Sequence, residues 1–403
     1  MKEIIPTYIG VSPSLSINAP GHYLPFHGKL FEEFRNQNPQ SIYLGAEGSE
    51  KSDTWWMRWA PHTLRSRPNF LSLGKFVQLC GVARREKNSY FVVYEGSLFH
   101  LILFSCVTAM SNSSALVNLH YSSELSSRMG STFGKIYVKS IFKLCNKISL
   151  GAVVLASESV ELSSEIESKT GVFPTPFPVF SVLDDIQPSE VIELLHTWVI
   201  CRIVHKWQLE NLITALKDNP SEIFLVNGLK EEQKKQFRDL PNVRIQDQYL
   251  TPEEYRYLLA GSKQIVLAYD TEMYKGHSSG RLLDAMIFGK LIVAIEGMPV
   301  PVFARQYRNL KMVKFAELTS NFGNWCPQSE NLLKLKPNAV WAVEQIRDMY
   351  PKFHGVSEST RRKPYFLPIL FFAAFYLSTF VSRGSAAVIT RFLHLASKTN
   401  SKA

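Results

Sequence analysis

The sequence predicts two Rossmann-like, doubly wound α/β domains facing a cleft, followed by an apolar C-terminal segment. Three observations predict this. Short apolar runs alternate with longer amphipathic ones from residue 4 to about residue 315, which is the α/β signature. The short runs are apolar on both faces, as strands of a parallel sheet covered by helices must be. A proline-rich stretch, Val172 to Val182 (VFPTPFPVFSV), divides the series into two parts of similar size. At 403 residues the chain also exceeds what one hydrophobic core usually organises. The expected division is a first domain over residues 1–182, a second over 183–350 and a tail over 351–403.

In the first domain, Ile4 to Ile9 reads as a strand, a helix follows Gly21-His22, and Ser41 to Leu44 is a second strand. Then come a strand at Tyr90 to Tyr94 (YFVVY), a helix from Ser97 to about Met110 and a strand at Ala115 to His120 (ALVNLH). A helix across Phe133 to Lys147 and a strand at Ala152 to Ala156 complete it. Closely spaced prolines favour extended backbone and end helices, so Val172 to Val182 reads as the run into an interdomain hinge. The second series starts with a strand at Thr197 to Val204 (TWVICRIV), a helix over about Gln208 to Lys217 and a strand at Ile223 to Val226. A helix around Glu231 to Arg238 and a strand at Val243 to Ile245 follow. Thr251-Pro252-Glu253-Glu254 then opens a helix with a capping Thr, Pro at the first helical position and acids in the first turn. After it come strands at Ile265 to Ala268 and Leu291 to Ile295 around a helix at Ser278, a helix near Phe303 and a strand at Lys311 to Phe315.

The composition narrows the partners. With 45 Lys and Arg against 35 Asp and Glu, the formal charge is +10, which favours an anionic partner such as a phosphorylated substrate or an acidic membrane surface. The basic residues are scattered and form no recognition motif, so nucleic acid is not expected. Five widely separated cysteines without CxxC spacing indicate neither a disulfide framework nor a zinc site. A reducing, cytoplasmic compartment fits, and MKEIIPTYIGVSPS is not a secretory signal peptide.

The stretch from Ala268 to Ala294, AYDTEMYKGHSSGRLLDAMIFGKLIVA, carries the most chemistry. It reads as strand, polar loop, helix and second strand, with Leu282, Leu283, Ala285, Met286 and Phe288 at helical spacing and Gly289 as the stop. His277, Ser278, Ser279 and Gly280 fall at the helix N-terminus, where free N–H groups and the helix dipole bind anions and small side chains admit a phosphate. An ordinary capped surface helix has the same local pattern. Upstream, CRIVHKW places Arg202 and Lys206 between the first strand of the second domain and its helix, where fixed cations stabilise the charge that develops on a departing diphosphate. A solvated strand end is the bland alternative.

On these residues the chain resembles the glycosyltransferases of the GT-B fold, in particular the family 4-like, glycogen-synthase-like group that uses nucleotide-sugars. The resemblance covers roughly Ile4 to Phe315. It implies that Arg202 and Lys206 grip the donor diphosphate, although Cys201 stands where the family has glycine and the Arg-to-Lys interval is one residue short. It implies that HSSGRLLDAM holds the donor phosphates through His277, Ser278, Ser279 and Gly280. Asp284 takes the place of the helix glutamate that binds the donor ribose, a task suited to a carboxylate that can accept two hydroxyl hydrogen bonds. The EX7E pair is incomplete, because Gly276 lies eight residues before Asp284. The resemblance also implies that Gly21 and His22 form a loop beside donor and acceptor, and that His120 at the end of ALVNLH is the strand-end histidine pointed at the transferred sugar, where histidine can bond a hydroxyl or shuttle a proton. Glu95 in YEGS is an acceptor-side candidate, and His120 and Glu95 are the catalytic candidates.

Two apolar features point to a membrane. DTWWMRW groups Trp55, Trp56 and Trp59 with Arg58, suited to lipid headgroups, to sugar stacking or to packing between domains. Tyr365 to Val381 (YFLPILFFAAFYLSTFV) is free of charge, is flanked by Arg361-Arg362-Lys363 and Arg383, and contains Pro368. It is at the short limit for a spanning helix, so a short span, a re-entrant or interfacial anchor and a buried terminal helix are all open, and Ala386 to Lys398 can form a basic amphipathic helix beyond it. The sequence reading is therefore a cytoplasmic, membrane-associated glycosyltransferase that moves a sugar from a nucleotide-sugar donor to a glycan or lipid-linked acceptor. It needs no cofactor beyond the donor substrate and no metal. A sugar-nucleotide epimerase of the same fold and a degenerate glycosyltransferase serving as an interaction subunit are the rivals.

Overall fold

The structure is a computed structural model that describes residues 5–11, 23–44, 79–86, 88–111, 113–119, 129–181, 183, 196–247, 250–271, 279–322 and 338–350. These residues form two parallel sheets of six strands each. The first has the order β2-β1-β3-β4-β5-β6, with β1 Thr7–Val11, β2 Ile42–Leu44, β3 Ser89–Gly96, β4 Ser114–Leu119, β5 Val153–Ser157 and β6 Thr175–Pro176. The second has the order β12-β11-β10-β7-β8-β9, with β7 His196–Arg202, β8 Phe224–Asn227, β9 Val243–Gln246, β10 Ser262–Tyr269, β11 Leu291–Ile295 and β12 Leu310–Val313.

The apolar runs become strands because both faces are covered. All residues of β1, β4 and β11 are buried, as parallel sheets require. In the first domain the Leu98–Ala109 helix is apolar almost all round and buried over most of its length. It is sandwiched against β4 and the Thr132–Ser149 helix, which explains why its sequence shows no polar face. In the second domain Trp198 is fully buried on β7. Thr251 caps the Pro252–Gly261 helix, accepting from the Glu254 N–H at 3.2 Å while Glu254 Oε2 accepts from the Thr251 N–H at 2.8 Å.

Four features differ from the sequence expectation. Thr175–Pro176 is not only part of a run toward the second domain, because it pairs with β5 as the sheet's edge strand, a position proline tolerates since no neighbour needs its missing N–H. The residues near Phe303 form a 3-10 turn, Val302–Gln306, too short for an α-helix. A helix at Val160–Thr170, capped by the Ser159 side chain and closed by Gly171 in the left-handed region at φ 72°, was not anticipated. Neither was the helix Ala339–Asp348, whose start is fixed by Asn338 Oδ1 accepting from the Trp341 N–H at 2.9 Å.

That last helix returns to the first domain and packs on the Tyr23–Gln37 helix, and Tyr350 just beyond it meets Tyr90 edge-on at 5.0 Å. The two halves share one apolar cluster that runs from Tyr8, Phe34 and Tyr43 through Phe177, Val179 and Phe180 to Trp198, Leu267 and Leu282. Phe180 stacks on Phe26 at 4.3 Å, and Arg305 forms an ion pair with Glu161. The described part of the connecting segment, through Phe177, Val179, Phe180 and Leu183, is thus packed into the core.

Candidate functional site

Each sheet has one point where the chain reverses its direction of winding, and at such points the loops splay apart to leave a crevice at the carboxyl ends of the strands. In the first sheet it lies between β1 and β3. In the second it lies between β7 and β10, since the chain leaves β7 toward β8 and β9 but leaves β10 toward β11 and β12. The residues singled out by sequence fall at these two places: Glu95 is the penultimate residue of β3, Arg202 ends β7, and Ser279-Gly280 opens the helix after β10.

At the second switch point Arg202 is the register partner of Tyr269, and its carbonyl accepts from the Asp270 N–H at 2.8 Å. Its guanidinium is exposed, with Nη1 donating to the Cys201 carbonyl at 3.4 Å. Gly228, just past β8 at φ 82°, makes room for this arrangement: a Cβ there would lie 2.2 Å from the Cys201 oxygen and 2.7 Å from Arg202 Nη1. The Lys206–Lys217 helix starts at once, with His205 at the N-cap. Lys206 is largely solvent-exposed and pairs with Glu210 at 3.3 Å.

The same junction holds a polar network that sequence reasoning missed. Gln208 is buried at the third helical position, where its Oε1 accepts from the Val204 N–H at 3.3 Å and the His205 N–H at 3.1 Å. Its Nε2 donates to Asp270 Oδ2 at 3.0 Å. His205 Nε2 lies 3.6 Å from that same carboxylate oxygen, with the imidazole 56% exposed and the Asp270 side chain 5% exposed. A buried carboxylate therefore steers a solvent-facing imidazole between Arg202 and Lys206. The available signal was the run of His205, Gln208 and Asp270 at two adjacent strand ends.

The second helix, Gly280–Ile287, is capped by Ser279, whose Oγ accepts from the Leu282 N–H at 3.4 Å and hydrogen-bonds the Tyr269 hydroxyl at 3.3 Å. Asp284 lies one turn in, on the inner face and 6% exposed. Its Oδ1 accepts from the Ser181 hydroxyl at 2.6 Å and its Oδ2 from the Tyr255 hydroxyl at 2.7 Å. Burial and the Asp284 charge hold the Tyr255 phenol well above its usual range, so it stays a donor. Arg281 lies over the Tyr255 ring at 4.4 Å and the Trp198 ring at 5.4 Å, cation–π contacts that fix the helix against β7. Ribose hydroxyls, the expected partners of Asp284, would compete with Ser181 and Tyr255 for its oxygens.

At the first switch point Gly96 follows Glu95, and a Cβ on Gly96 would lie 2.5 Å from the Asn118 oxygen. Asn118, buried on β4, donates to the Tyr94 carbonyl at 2.8 Å and to Glu158 Oε1 at 3.0 Å. Beneath them His27 is buried, its Nδ1 2.7 Å from the Tyr43 hydroxyl and its ring stacked on Tyr94 at 4.4 Å. For Glu95 only the backbone is described. Gly21, His22, His120, His277 and Ser278 lie outside the described residues, as do the tryptophan cluster at 55–59 and the apolar segment at 365–381.

Cys201 is buried and its thiol is pushed up to about 12, which removes it as a nucleophile at neutral pH. Among the described residues no three His, Cys, Asp or Glu side chains gather as a metal site, and no helix is long and apolar enough to cross a membrane.

No protein-family model matches the chain, and no curated protein does. Solved structures do. A glycosyltransferase from Rickettsia africae superposes with a TM-score of 0.56 at 11% identity, over 85% of this chain and 93% of that one. Anabaena Alr3699/HepE in complex with UDP gives 0.55 at 13%, over 85% and 95%. The UDP-GlcNAc 2-epimerase from Neisseria meningitidis bound to UDP-GlcNAc gives 0.54 at 13%, over 85% and 98%. At such identities the likeness establishes the fold: two α/β domains in the GT-B arrangement, shared with glycosyltransferases and UDP-GlcNAc 2-epimerases alike.

Proposed function

We propose that this chain is a GT-B glycosyltransferase that moves a sugar from a nucleoside-diphosphate sugar to a glycan or lipid-linked acceptor. One observation carries the reading: Arg202, His205 and Lys206 lie at the strand-to-helix junction that starts one helix while Ser279 and Gly280 open a second, both at the switch point between β7 and β10. Two helix N-termini and three basic side chains form a site for a diphosphate. The structures of this fold that hold UDP or a UDP-sugar support a uridine donor, and the family 4-like reading rests on the sequence resemblance of the Arg202, Lys206 and HSSGRLLDAM motifs.

In this reading the bond from the sugar's C1 to the diphosphate oxygen breaks, and the electron pair leaves with the diphosphate. Arg202 and Lys206 hold that charge, the N–H groups from Ser279 onward hold the second phosphate with His277 and Ser278, and His205, steered by Asp270, supplies a further donor. The acceptor hydroxyl attacks C1 and gives its proton to His120 or Glu95, the catalytic candidates of the first domain, with Gly21 and His22 as further donor-binding candidates. The cations and helix ends neutralise the leaving group, so no metal is assigned. The tail at 351–403 holds the enzyme to a membrane near a lipid-linked acceptor.

A sugar-nucleotide epimerase is the second reading, favoured by the superposition on the Neisseria enzyme. Incubating the full chain with a panel of nucleotide-sugars, with and without lipid-linked and oligosaccharide acceptors, separates them. Transfer or slow donor hydrolysis supports the first reading, an epimerised nucleotide-sugar supports the second, and binding without turnover marks a degenerate subunit. Arg202→Ala should weaken UDP binding by roughly ten- to a hundredfold, the loss of one charge-assisted contact. Unchanged UDP affinity in that folded variant removes the diphosphate assignment.

A further inference from the structure

The Thr132–Ser149 helix (TFGKIYVKSIFKLCNKIS) contains four lysines and no acid. Val138, Ile141, Phe142 and Cys145 are buried against the first domain, while Lys135, Lys139, Lys143 and Lys147 are all exposed. At 100° and 1.5 Å per residue the four lysines span an arc of about 120° and a length of about 18 Å. Ile136 falls inside that arc, near the centre of the outward face, and is 59% exposed. Leu144 at its margin is 38% exposed, and Leu150, held in the left-handed region at φ 55° just past the helix end, is 39% exposed.

Elsewhere five cations sit with acids: Lys169 with Glu165, Lys206 with Glu210, Lys234 with Glu231 and Asp247, Lys263 with Glu222, and Arg305 with Glu161. Among the described residues none of the four helix lysines has such a partner. A single exposed isoleucine is ordinary on a surface, but here Ile136 lies inside a lysine face without an acid, with Leu144 and Leu150 near it. An anionic lipid surface uses both: lysine heads meet the headgroups, and Ile136, Leu144 and Leu150 enter the acyl boundary.

We propose that the outward face of the Thr132–Ser149 helix docks on an anionic lipid bilayer. The helix follows β4, whose carboxyl end faces the interdomain crevice, so docking lays the first domain against the lipid independently of the C-terminal tail and of whatever the site turns over.

The test is flotation of the full chain with vesicles of phosphatidylcholine alone and of phosphatidylcholine mixed with phosphatidylglycerol. Replacing Lys135, Lys139, Lys143 and Lys147 by Gln should lower partition onto the anionic vesicles about five-fold per lysine, several hundredfold together if the four act additively. Neutralising Lys230, Lys235, Lys311 and Lys314 instead removes the same charge from other surfaces and should change partition far less. An equal loss in both variants reduces the effect to net charge and overturns the proposal. Because the tail can hold the chain on vesicles by itself, an Ile136→Trp variant reads the helix directly: its added fluorescence, relative to wild type, should be quenched by brominated phosphatidylglycerol. An unquenched tryptophan at 136, or retention on heparin with no flotation, also overturns it. None of these readouts involves a nucleotide-sugar, so failure of the proposed function leaves the result standing.

Discussion

Asp284 is where the connecting segment, the Gly280–Ile287 helix and the Pro252–Gly261 helix meet, so its removal is the most informative perturbation of the fold. The carboxylate accepts two short hydrogen bonds, from Ser181 at 2.6 Å and Tyr255 at 2.7 Å, and is 6% exposed. A hydrogen bond to a charged group contributes about 1.5 to 3 kcal/mol, which puts the pair at roughly 3 to 6 kcal/mol. Asp284→Ala recovers part of the cost of burying a charge but strands two buried hydroxyls, for a net loss of about 2 to 4 kcal/mol. Asp284→Asn keeps the shape and one acceptor and should lose about 1 to 2 kcal/mol. The assay is urea denaturation followed by tryptophan fluorescence, which reports on Trp198 packed edge-on against Tyr255 at 5.5 Å, run with and without saturating UDP. If Asp284 works through Ser181 and Tyr255, Ser181→Ala and Tyr255→Phe will each lower the midpoint, and combining either with Asp284→Ala will add little. If it binds ribose, the Asn variant will lose most of the stabilisation UDP confers while Tyr255→Phe retains it. An Asp284→Ala protein with an unchanged midpoint would refute the structural argument altogether.

Three further outcomes are expected. Gly228→Ala should destabilise the second domain by more than about 2 kcal/mol and weaken UDP binding, because its Cβ collides with the Cys201 carbonyl and Arg202 Nη1 on top of a left-handed backbone cost of about 1 to 2 kcal/mol; Gly151→Ala, at φ 80° with open space around it, has only the backbone cost and should leave UDP affinity alone. His100 is fully buried, and burial lowers its pKa from 6.5 to about 3, while its Nδ1 accepts from the Ser97 N–H at 3.0 Å. The unfolded chain therefore binds the proton first as pH falls, so stability drops by about 1.4 kcal/mol per unit between pH 6.5 and 3, and His100→Gln, which can serve the same cap, should flatten that limb of a stability-versus-pH curve. Burial also lowers Lys290, whose Nζ donates to the Ala260 carbonyl at 2.6 Å, to about 8; here the unfolded chain holds the proton longer as pH rises, so wild type should gain stability from about pH 8 to 10.5 relative to Lys290→Met.

The fold was legible because its strands are buried on both faces. Runs such as YFVVY, ALVNL and LIVAI carry no alternation to misread, and all three became strands within two residues of their expected bounds. What escaped was structure held by caps and long-range packing. The Val160–Thr170 helix has few apolar residues, with Leu162 and Ile166 on its buried side, so its periodicity is weak and Ser159 and Gly171 were the readable signals. The Ala339–Asp348 helix lies beyond both sheets in sequence and owes its place to the Tyr23–Gln37 helix, some three hundred residues away. No local pattern reports a partner at that distance.

The site divides along the same line. Arg202, Lys206, Ser279 and Gly280 fall at strand-to-helix junctions as expected, because such a junction is visible in the sequence. The groups that orient them come from tertiary pairing: Gln208 meets Asp270 across 62 residues and Ser181 meets Asp284 across 103. Each of those bonds joins something visible at the crevice to something buried behind it. His205 faces solvent because Gln208 and Asp270 hold the turn below it, and the Gly280–Ile287 helix presents its N-terminus because Asp284, one turn inside, is tied to the connecting segment. Since the same eight-residue helix starts at the crevice and is bonded at its middle to the chain between the domains, donor phosphates held as proposed at its N-terminus would be positioned by the same rigid element that ties the connecting segment.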